Sequence, residues 1–85
     1  MPDMTDTASV SAIVLSALSE ILREPEADIR AQPVLAAHDW DSVTSLEVLA
    51  QLEGQLEVTL DLRAYHAART FDDLIDLVTA AVGRR

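Results

Sequence analysis

The chain is organised around one stretch, Asp39-Trp40-Asp41-Ser42-Val43-Thr44-Ser45-Leu46-Glu47-Val48-Leu49. In it, a serine preceded by an aspartate lies where a long connection gives way to an amphipathic pattern. Apolar residues then recur at the spacing of one helix face, so we predict a helix over about residues 42–57. Its buried stripe is formed by Val48, Leu49, Leu52 and Leu56.

Ser42 stands at the predicted start of this helix. The first N–H groups of a helix lack intrahelical partners, and the aligned peptide dipoles favour negative charge there. A phosphate attached to Ser42 would therefore be stabilised at this position. The pattern Asp-Ser-aliphatic is short and common by chance. Taken alone, it leaves three roles open for Ser42, namely a helix cap, a nucleophile and an acceptor for modification.

The composition limits the kind of protein that this chain can be. With 85 residues it forms one small domain, and without cysteine it has neither disulfides nor thiolate metal ligands. Its formal net charge is -9, with no lysine. Nucleic acid and anionic membranes are therefore poor partners, and basic protein surfaces are good ones. The sequence has neither an apolar run of membrane-spanning length nor the basic start of a signal peptide, so we expect a cytoplasmic protein.

A first helix is predicted from about Thr7 to Leu22 or Arg23, because Pro25 disfavours helical geometry in the residue before it. Its apolar face consists of Val10, Ile13, Val14, Ala17, Leu18, Ile21 and Leu22. A long connection over residues 24–41 follows. Such connections usually have a function or contain a short helix, so a helical turn can lie within residues 27–35. Three apolar residues should fix the connection to the core: Ile29, Val34 and Leu35.

The C-terminal third continues the all-α pattern. Val58, Leu60 and Leu62 alternate, but a lone strand cannot satisfy its backbone, so we predict an extended loop. A short helix over about residues 61–67 should bury Tyr65. The last helix should start at Thr70, with Asp73 completing a shortened capping box, and end at Gly83, followed by Arg84 and Arg85. We expect a flexible N-terminus at 1–7 and a single domain at 8–83.

The sequence contains no catalytic constellation. A serine nucleophile needs a base and an orienting acid, and His38 with Asp39 or Asp41 is close to Ser42 in sequence. However, no Gly-rich elbow accompanies them, so we predict a protein that is not an enzyme. His38, Asp39 and His66 lack a metal-binding spacing, and we expect no metal. A small serine hydrolase and a non-carrier helical adaptor with an acidic docking helix remain as alternatives.

The combination of these features resembles the acyl and peptidyl carrier protein family. Trp40-Asp41-Ser42-Val43 is similar to the family's Asp-Ser-Leu motif, and the resemblance extends over about residues 8–82. Leu60 matches the usual Ile or Leu after the second family helix. Further matches to the helix pattern are Leu46-Glu47-Val48-Leu49, Leu52-Glu53, and Thr70 with Phe71, Leu74, Ile75 and Val78.

The resemblance implies a four-helix bundle with a long first loop and a short third helix. It implies that Ser42, preceded by Asp41, is the attachment site for 4'-phosphopantetheine, which comes from coenzyme A and carries an acyl or aminoacyl group as a thioester. It also places a partner-docking surface on the second family helix, formed by Val43, Leu46, Glu47, Ala50 and Glu53. Val43, Asp39 and Ala50 depart from the common residues of the family, and none of them removes the acceptor serine.

The partners implied by the resemblance are a phosphopantetheinyl transferase, a loading enzyme, and a downstream acyltransferase or synthase with a basic docking surface. We expect a monomeric, free-standing acyl carrier protein. The Ala- and Arg-rich, lysine-free composition weakly favours a specialised pathway, polyketide or nonribosomal peptide biosynthesis of the antibiotic-producing kind. Fatty acid synthesis is the nearest alternative.

Overall fold

A computed structural model describes residues 7–84 of the chain, and the side chains of residues 8–83. The fold is all-α, as predicted. Its elements are α1 (Thr7–Leu22), α2 (Glu26–Ala31), a 3-10 helix (Leu35–Ala37), α3 (Ser42–Leu56), α4 (Leu62–Ala67) and α5 (Phe71–Arg84). Four of these helices correspond to the four that the sequence predicts, and the expected helical turn in the long connection is α2. Residues 1–6 of the predicted flexible N-terminus lie outside the described residues, and Thr7 begins α1.

The first helix is the centre of the bundle, because it packs against α2, α3 and α5. Four residues of its predicted apolar face are fully buried, namely Val10, Val14, Ala17 and Leu18, while Ile13, Ile21 and Leu22 are partly buried against the core. Leu15 is also fully buried, although it lies outside the predicted face. A helix in contact with elements on several sides buries a wider arc than one amphipathic stripe.

The third helix buries the stripe that was predicted for it. Leu49 is 8% exposed, and Val48, Leu52 and Leu56 are fully or almost fully covered. The helix ends at Leu56 because Glu57 adopts a left-handed conformation (φ 54°), so that its N–H donates to the Glu53 carbonyl. Arg23 (φ 58°) follows α1 in the same conformation. Both helix ends therefore adopt a geometry that usually favours glycine.

The long connection is fixed to the bundle by side chains and by backbone. Ile29 and Leu35 are buried, as predicted. The prediction was wrong for Val34, whose side chain is 44% exposed. Its backbone forms an isolated antiparallel bridge with Thr70, flanked by hydrogen bonds from Leu35 N–H to the Arg69 carbonyl (3.0 Å) and from Phe71 N–H to the Pro33 carbonyl (2.8 Å). This connection is thus anchored to the start of α5 mainly through peptide groups.

The segment between α3 and α4 is an extended loop, as predicted. Val58 and Leu60 face the core, and Thr59 between them is exposed. Asp61 caps α4, with its Oδ1 accepting from the N–H groups of Arg63 (2.9 Å) and Ala64 (3.3 Å). The alternating pattern therefore reflects an extended chain with one side against the bundle. Within residues 7–84, the Val34–Thr70 bridge is the β-type pairing that the structure contains.

The last helix begins with the predicted capping box. The Thr70 Oγ1 accepts from the Asp73 N–H (3.1 Å), and the Asp73 Oδ2 accepts from the N–H groups of Thr70 (3.2 Å) and Arg69 (3.0 Å). The prediction that Gly83 ends the helix was wrong, because α5 includes Gly83 and continues to Arg84. A glycine stops a helix by adopting a positive φ, and no described glycine does so. Arg85 lies outside the described residues.

We predict that the core depends strongly on Leu52, which is completely buried in α3. Replacing it with alanine should lower the free energy of unfolding by about 2–5 kcal/mol, because methyl groups are lost and a cavity remains. Leu46→Ala is a matched control on the same helix, since Leu46 is 47% exposed and should cost less than about 1 kcal/mol. Chemical denaturation followed by circular dichroism measures both. Equal losses would contradict the described orientation of α3.

Candidate functional site

The candidate site is the N-terminus of α3, where Asp41 and Ser42 have different roles. Asp41 is the N-cap, and its Oδ1 accepts a hydrogen bond from the Thr44 N–H at 2.7 Å. This bond, together with the nearby Val43 N–H, lowers the pKa of the Asp41 carboxyl, so the group is ionised at neutral pH. Ser42 is the first helical residue. Asp41 is therefore the N-cap of α3, and Ser42 does not have that role.

The side chain of Ser42 is exposed, and its hydroxyl forms no hydrogen bond with any described residue. The helix terminus stabilises a phosphate on Ser42 less than the sequence pattern alone predicts. Because the ionised Asp41 already occupies the Thr44 N–H and the positive end of the helix, a phosphate on Ser42 would share this terminus with a carboxylate. The helix dipole alone therefore provides less stabilisation than the bare pattern suggests.

A hydrogen bond from α4 fixes the turn that follows Ser42. The Tyr65 hydroxyl donates a buried hydrogen bond to the Ser45 carbonyl at 2.6 Å. Burial raises the pKa of the Tyr65 phenol, so the hydroxyl keeps its proton and remains a donor. Ser45 itself is only 5% exposed, and its Oγ donates to the Ser42 carbonyl at 3.1 Å. Ser42 is therefore accessible, whereas Ser45 is enclosed.

His38 lies four residues before Ser42 and is committed to other partners. Its Nδ1 is 2.9 Å from both carboxylate oxygens of Glu24, and its Nε2 is 2.7 Å from the Gln32 carbonyl. A carboxylate and a carbonyl are both acceptors, so only the doubly protonated ring can donate to both. An imidazolium engaged in this way cannot take a proton from Ser42. The contacts instead join the loop before α3 to the ends of α1 and α2.

Trp40 is partly buried and packs against the hydrophobic core. Its ring centroid is 6.2 Å from that of Tyr65, at an interplanar angle of 51°. Trp40 lines a cleft of about 490 Å³ together with Ile21, Leu22, Arg23, Asp39, Asp41 and Thr44. It also lines a second cleft of about 300 Å³ with Val34, Leu35, Ala36, His66, Ala68 and Arg69. Trp40 is thus partly buried against the core, and its indole also forms a wall of both clefts.

The residues predicted for partner docking lie on the outer side of α3. Val43 is 65% exposed and Leu46 47% exposed, with Glu47 and Ala50 exposed beside them. Glu53 differs, because it is half-buried and its Oε2 accepts from the Leu60 N–H at 2.8 Å. This structural role was not foreseen, and its part in docking stays a prediction. Leu62, at the start of α4, is 50% exposed and was not predicted as a surface residue.

Among residues 7–84, no cluster of three or more His, Asp or Glu side chains has the arrangement of a metal site. His38 and Asp39, weighed earlier as ligands, are therefore not joined by a third such group in the described structure. None of the described helices has the length and apolar character needed to cross a membrane.

Comparison with known families decides the class of this protein. Residues 12–78 match the model of the phosphopantetheine attachment site family. The chain belongs to this family. It is a carrier protein, and carrier domains of this kind hold 4'-phosphopantetheine covalently and interact with phosphopantetheinyl transferases and catalytic enzymes. A comparison with curated proteins gives no match. The resemblance inferred from the sequence is therefore confirmed.

The residues present in this carrier protein fit such a group. The attachment chemistry needs an accessible hydroxyl that is not engaged elsewhere, and the Ser42 hydroxyl meets both conditions among the described residues. The neighbouring Ser45 meets neither, because it is buried and bonded to the Ser42 carbonyl. The first turn of α3 is also fixed by the Asp41 cap and the Tyr65 hydrogen bond, so the Ser42 hydroxyl is presented at a constant position.

We predict that the His38 contacts make stability dependent on pH. The Gln32 carbonyl and then the Glu24 carboxylate, helped by Asp28, raise the pKa of His38 above 6.5 in spite of burial. A raised folded pKa contributes stability that is complete below the unfolded pKa and is lost as pH rises through the folded pKa. The excess unfolding free energy of wild type over His38→Gln should therefore be largest at about pH 6 and shrink by about pH 9.

The measurement is urea denaturation of both proteins across this range, and taking their difference cancels the titration of the other groups. His66→Gln serves as the matched control, because His66 is exposed and has no carboxylate partner among the described residues. A wild-type advantage that stays constant with pH would show that His38 is not an imidazolium in the native protein.

Proposed function

We propose that Ser42 is the attachment site of 4'-phosphopantetheine in this carrier protein. The observation that carries the proposal is the contrast at the start of α3. The Ser42 hydroxyl is exposed and unengaged, whereas its neighbours Asp41 and Ser45 are fixed by hydrogen bonds. A transferase therefore meets a free hydroxyl on a rigid turn. The range that matches the family model, residues 12–78, contains Ser42.

In the proposed reaction, the Ser42 Oγ forms a bond to the phosphorus that bears the pantetheine in coenzyme A. The pyrophosphate bond breaks, and the nucleotide leaves with the electron pair. The hydroxyl proton passes to a base that the transferase supplies, since His38 is engaged with Glu24 and Gln32. Asp41 keeps the first turn of α3 in place during this step. Once attached, the arm supplies a thiol that holds the cargo as a thioester, which a cysteine-free chain cannot supply itself.

We further propose an acyl carrier protein of the cytoplasm, which takes an acyl or aminoacyl group from a loading enzyme and presents it to an acyltransferase or synthase. Polyketide or nonribosomal peptide biosynthesis is the favoured pathway, supported by the Ala- and Arg-rich composition. Fatty acid synthesis is the alternative. In this proposal the partner enzymes catalyse the transfer of the acyl or aminoacyl group, and the carrier chain contributes recognition and positioning.

The recognition surface in this proposal is the exposed side of α3. Val43 and Leu46 provide apolar contact area near Ser42, and Glu47 adds a negative charge at an exposed position. The whole chain has a formal charge of -9, so it attracts basic partners and repels its own copies. Charge should mainly affect the rate of encounter, while the apolar side chains contribute to the bound complex.

We predict a single phosphopantetheine addition, located at Ser42. Incubation with coenzyme A and a broad-specificity phosphopantetheinyl transferase should raise the intact mass of the wild type by one arm, and Ser42→Ala should show no increase. Because Asp41 is the cap, Ser42→Ala should change the unfolding free energy by less than about 0.5 kcal/mol. Ser45→Ala is the matched control and should still be loaded.

Three outcomes would contradict this assignment. Loading that persists in Ser42→Ala would place the arm elsewhere. A wild type that folds but accepts no arm would instead favour the acidic adaptor that the sequence left open. Turnover of an activated ester that is lost in Ser42→Ala would favour a hydrolase.

We predict that Glu47→Lys slows loading by a few-fold. An exposed charge pair is worth about 0.2–1 kcal/mol, and complementary fields act mostly on the association rate. The matched control is Glu20→Lys, an equal charge change at an exposed position of α1. Initial loading rates at low and high salt give the measurement, and salt should bring the wild-type rate towards that of Glu47→Lys.

Glu53 needs a milder substitution in the same series. Lysine at this position would remove the acceptor of the Leu60 N–H, so a slower rate could reflect a disturbed loop. Glu53→Gln removes the charge and keeps an amide oxygen as acceptor. If Glu20→Lys slows loading as much as Glu47→Lys, only net charge matters, and α3 is not the docking surface.

A further inference from the structure

The second cleft, of about 300 Å³, lies between the 3-10 helix and the junction of α4 with α5. Its lining is apolar where the 3-10 helix contributes Leu35 and Ala36, and basic where Arg69 contributes. We propose that this cleft is a second docking surface of the carrier protein, which binds a segment of a partner protein in which a large apolar side chain stands next to a carboxylate. This surface shares no residue with α3 and does not require attachment at Ser42.

The cleft is preformed, because backbone hydrogen bonds join its two sides. The Leu35 N–H donates to the Arg69 carbonyl at 3.0 Å, and both residues line the cleft. Next to this bond, Val34 forms the antiparallel bridge with Thr70. A preformed site needs little ordering when a partner binds, and such ordering is one of the main costs of association.

The size and lining of the cleft favour one large apolar side chain as its occupant. The volume of about 300 Å³ is at the lower limit of small-molecule sites, so a single anchor residue fits better than a whole ligand. Leu35, Ala36 and Ala68 supply apolar surface. Val34, which also lines the cleft, is 44% exposed. Side chains anchored in such pockets contribute most of the binding energy of many interfaces.

The charge of the segment around the cleft is opposite to that of the protein as a whole. Residues 62–71 include Arg63, His66 and Arg69 but no carboxylate, in a chain with a formal net charge of -9. All three side chains are exposed, and neither arginine forms an ion pair with a described side chain. Asp73, at the start of α5, is engaged in the capping box instead. The basic groups are therefore available to a carboxylate of a partner, which an arginine can bind through two parallel hydrogen bonds.

This charge identifies the class of partner. An acidic segment is attracted to the basic side of the cleft, whereas basic surfaces are attracted to α3, which has Glu47 at an exposed position and no basic residue. Second copies of the chain and anionic membranes are disfavoured, because the net charge of the protein repels both. Two docking surfaces of opposite charge allow the carrier protein to distinguish two classes of partner.

The test is a titration of the full-length chain, in its apo and holo forms, followed by methyl NMR. The probe is a capped acidic peptide with one central phenylalanine. We expect shifts at Val34, Ala36 and Ala68 that saturate at millimolar peptide and decrease with added salt. Arg69→Gln should weaken binding by up to about five-fold, as expected for an exposed charge pair. Arg30→Gln, an equal charge change at an exposed position of α2, should leave binding unchanged.

A second pair of variants tests the apolar part of the cleft. Ala36 is exposed, so Ala36→Leu should leave the fold intact while its larger side chain fills the cleft, and binding should be lost. The matched control is Ala37→Leu, the same change at an exposed neighbour that does not line the cleft. Replacing the phenylalanine of the peptide with alanine, or its acidic residues with lysine, should also abolish the shifts.

Four results would overturn the proposal. Shifts confined to Val43 and Leu46 would place the peptide on α3, and an absence of shifts at millimolar peptide would show that the cleft binds no such segment. Binding that is unchanged in both Arg69→Gln and Ala36→Leu would exclude the cleft as the site. Equal shifts with sodium acetate in place of the peptide would reveal a non-specific anion site. Loading at Ser42 is measured separately by mass and is not affected by any of these results.

Discussion

The packing of α1 is the constraint on which the rest of the structure depends. This helix contacts α2, α3 and α5, and Val14, Leu15 and Leu18 are completely enclosed between them. A domain of 85 residues without cysteine relies on hydrophobic burial for its stability, since small chains bury a lower share of their surface. Once α1 occupies the centre, α3 has one side available for function. The surface that bears Val43 and Leu46 is exposed for this reason.

The site inherits its rigidity from that arrangement. Tyr65 is a buried residue of α4, and its hydroxyl donates to the Ser45 carbonyl in the first turn of α3. The Asp41 carboxylate accepts from the Thr44 N–H in the same turn. His38 holds the preceding loop to the ends of α1 and α2. Three independent contacts therefore fix the backbone around Ser42. The Ser42 hydroxyl forms no hydrogen bond with a described residue, as the proposed attachment of the arm requires.

The helices could be predicted from the sequence because the apolar residues that become buried recur with the period of an α-helix. Val48, Leu52 and Leu56 mark α3 by spacing alone, and Thr70 with Asp73 marks the start of α5 by a local hydrogen-bond pattern. Features that depend on a partner distant in sequence were missed. Leu15 is buried because several elements surround α1, and Val34 is exposed because its backbone rather than its side chain pairs with Thr70.

A local sequence pattern also predicts less where two adjacent residues can fill the same role. Asp41 and Ser42 are both good N-cap residues, and only the backbone conformation shows that Asp41 is the cap. The left-handed residues that follow α1 and α3, Arg23 and Glu57, are not glycines and gave no signal of their own, and Pro25 marked the end of α1 instead. Conversely, Gly83 suggested an end that α5 does not have there. A glycine permits a positive φ but does not enforce it.

The distribution of charge connects the stability of this carrier protein with its proposed task. Among the described side chains, the ion pair present is between His38 and Glu24, so nearly all of the described carboxylates have no basic partner among these side chains. Several of these carboxylates accept backbone hydrogen bonds, as Asp41, Asp61 and Asp73 do at the starts of helices. Together, the carboxylates raise the self-repulsion of this small protein and extend a negative field towards approaching molecules. The hydrophobic core around α1 offsets that repulsion. A carrier that must meet several enzymes and release each of them benefits from this division, because steering by charge accelerates encounters without making the complexes long-lived.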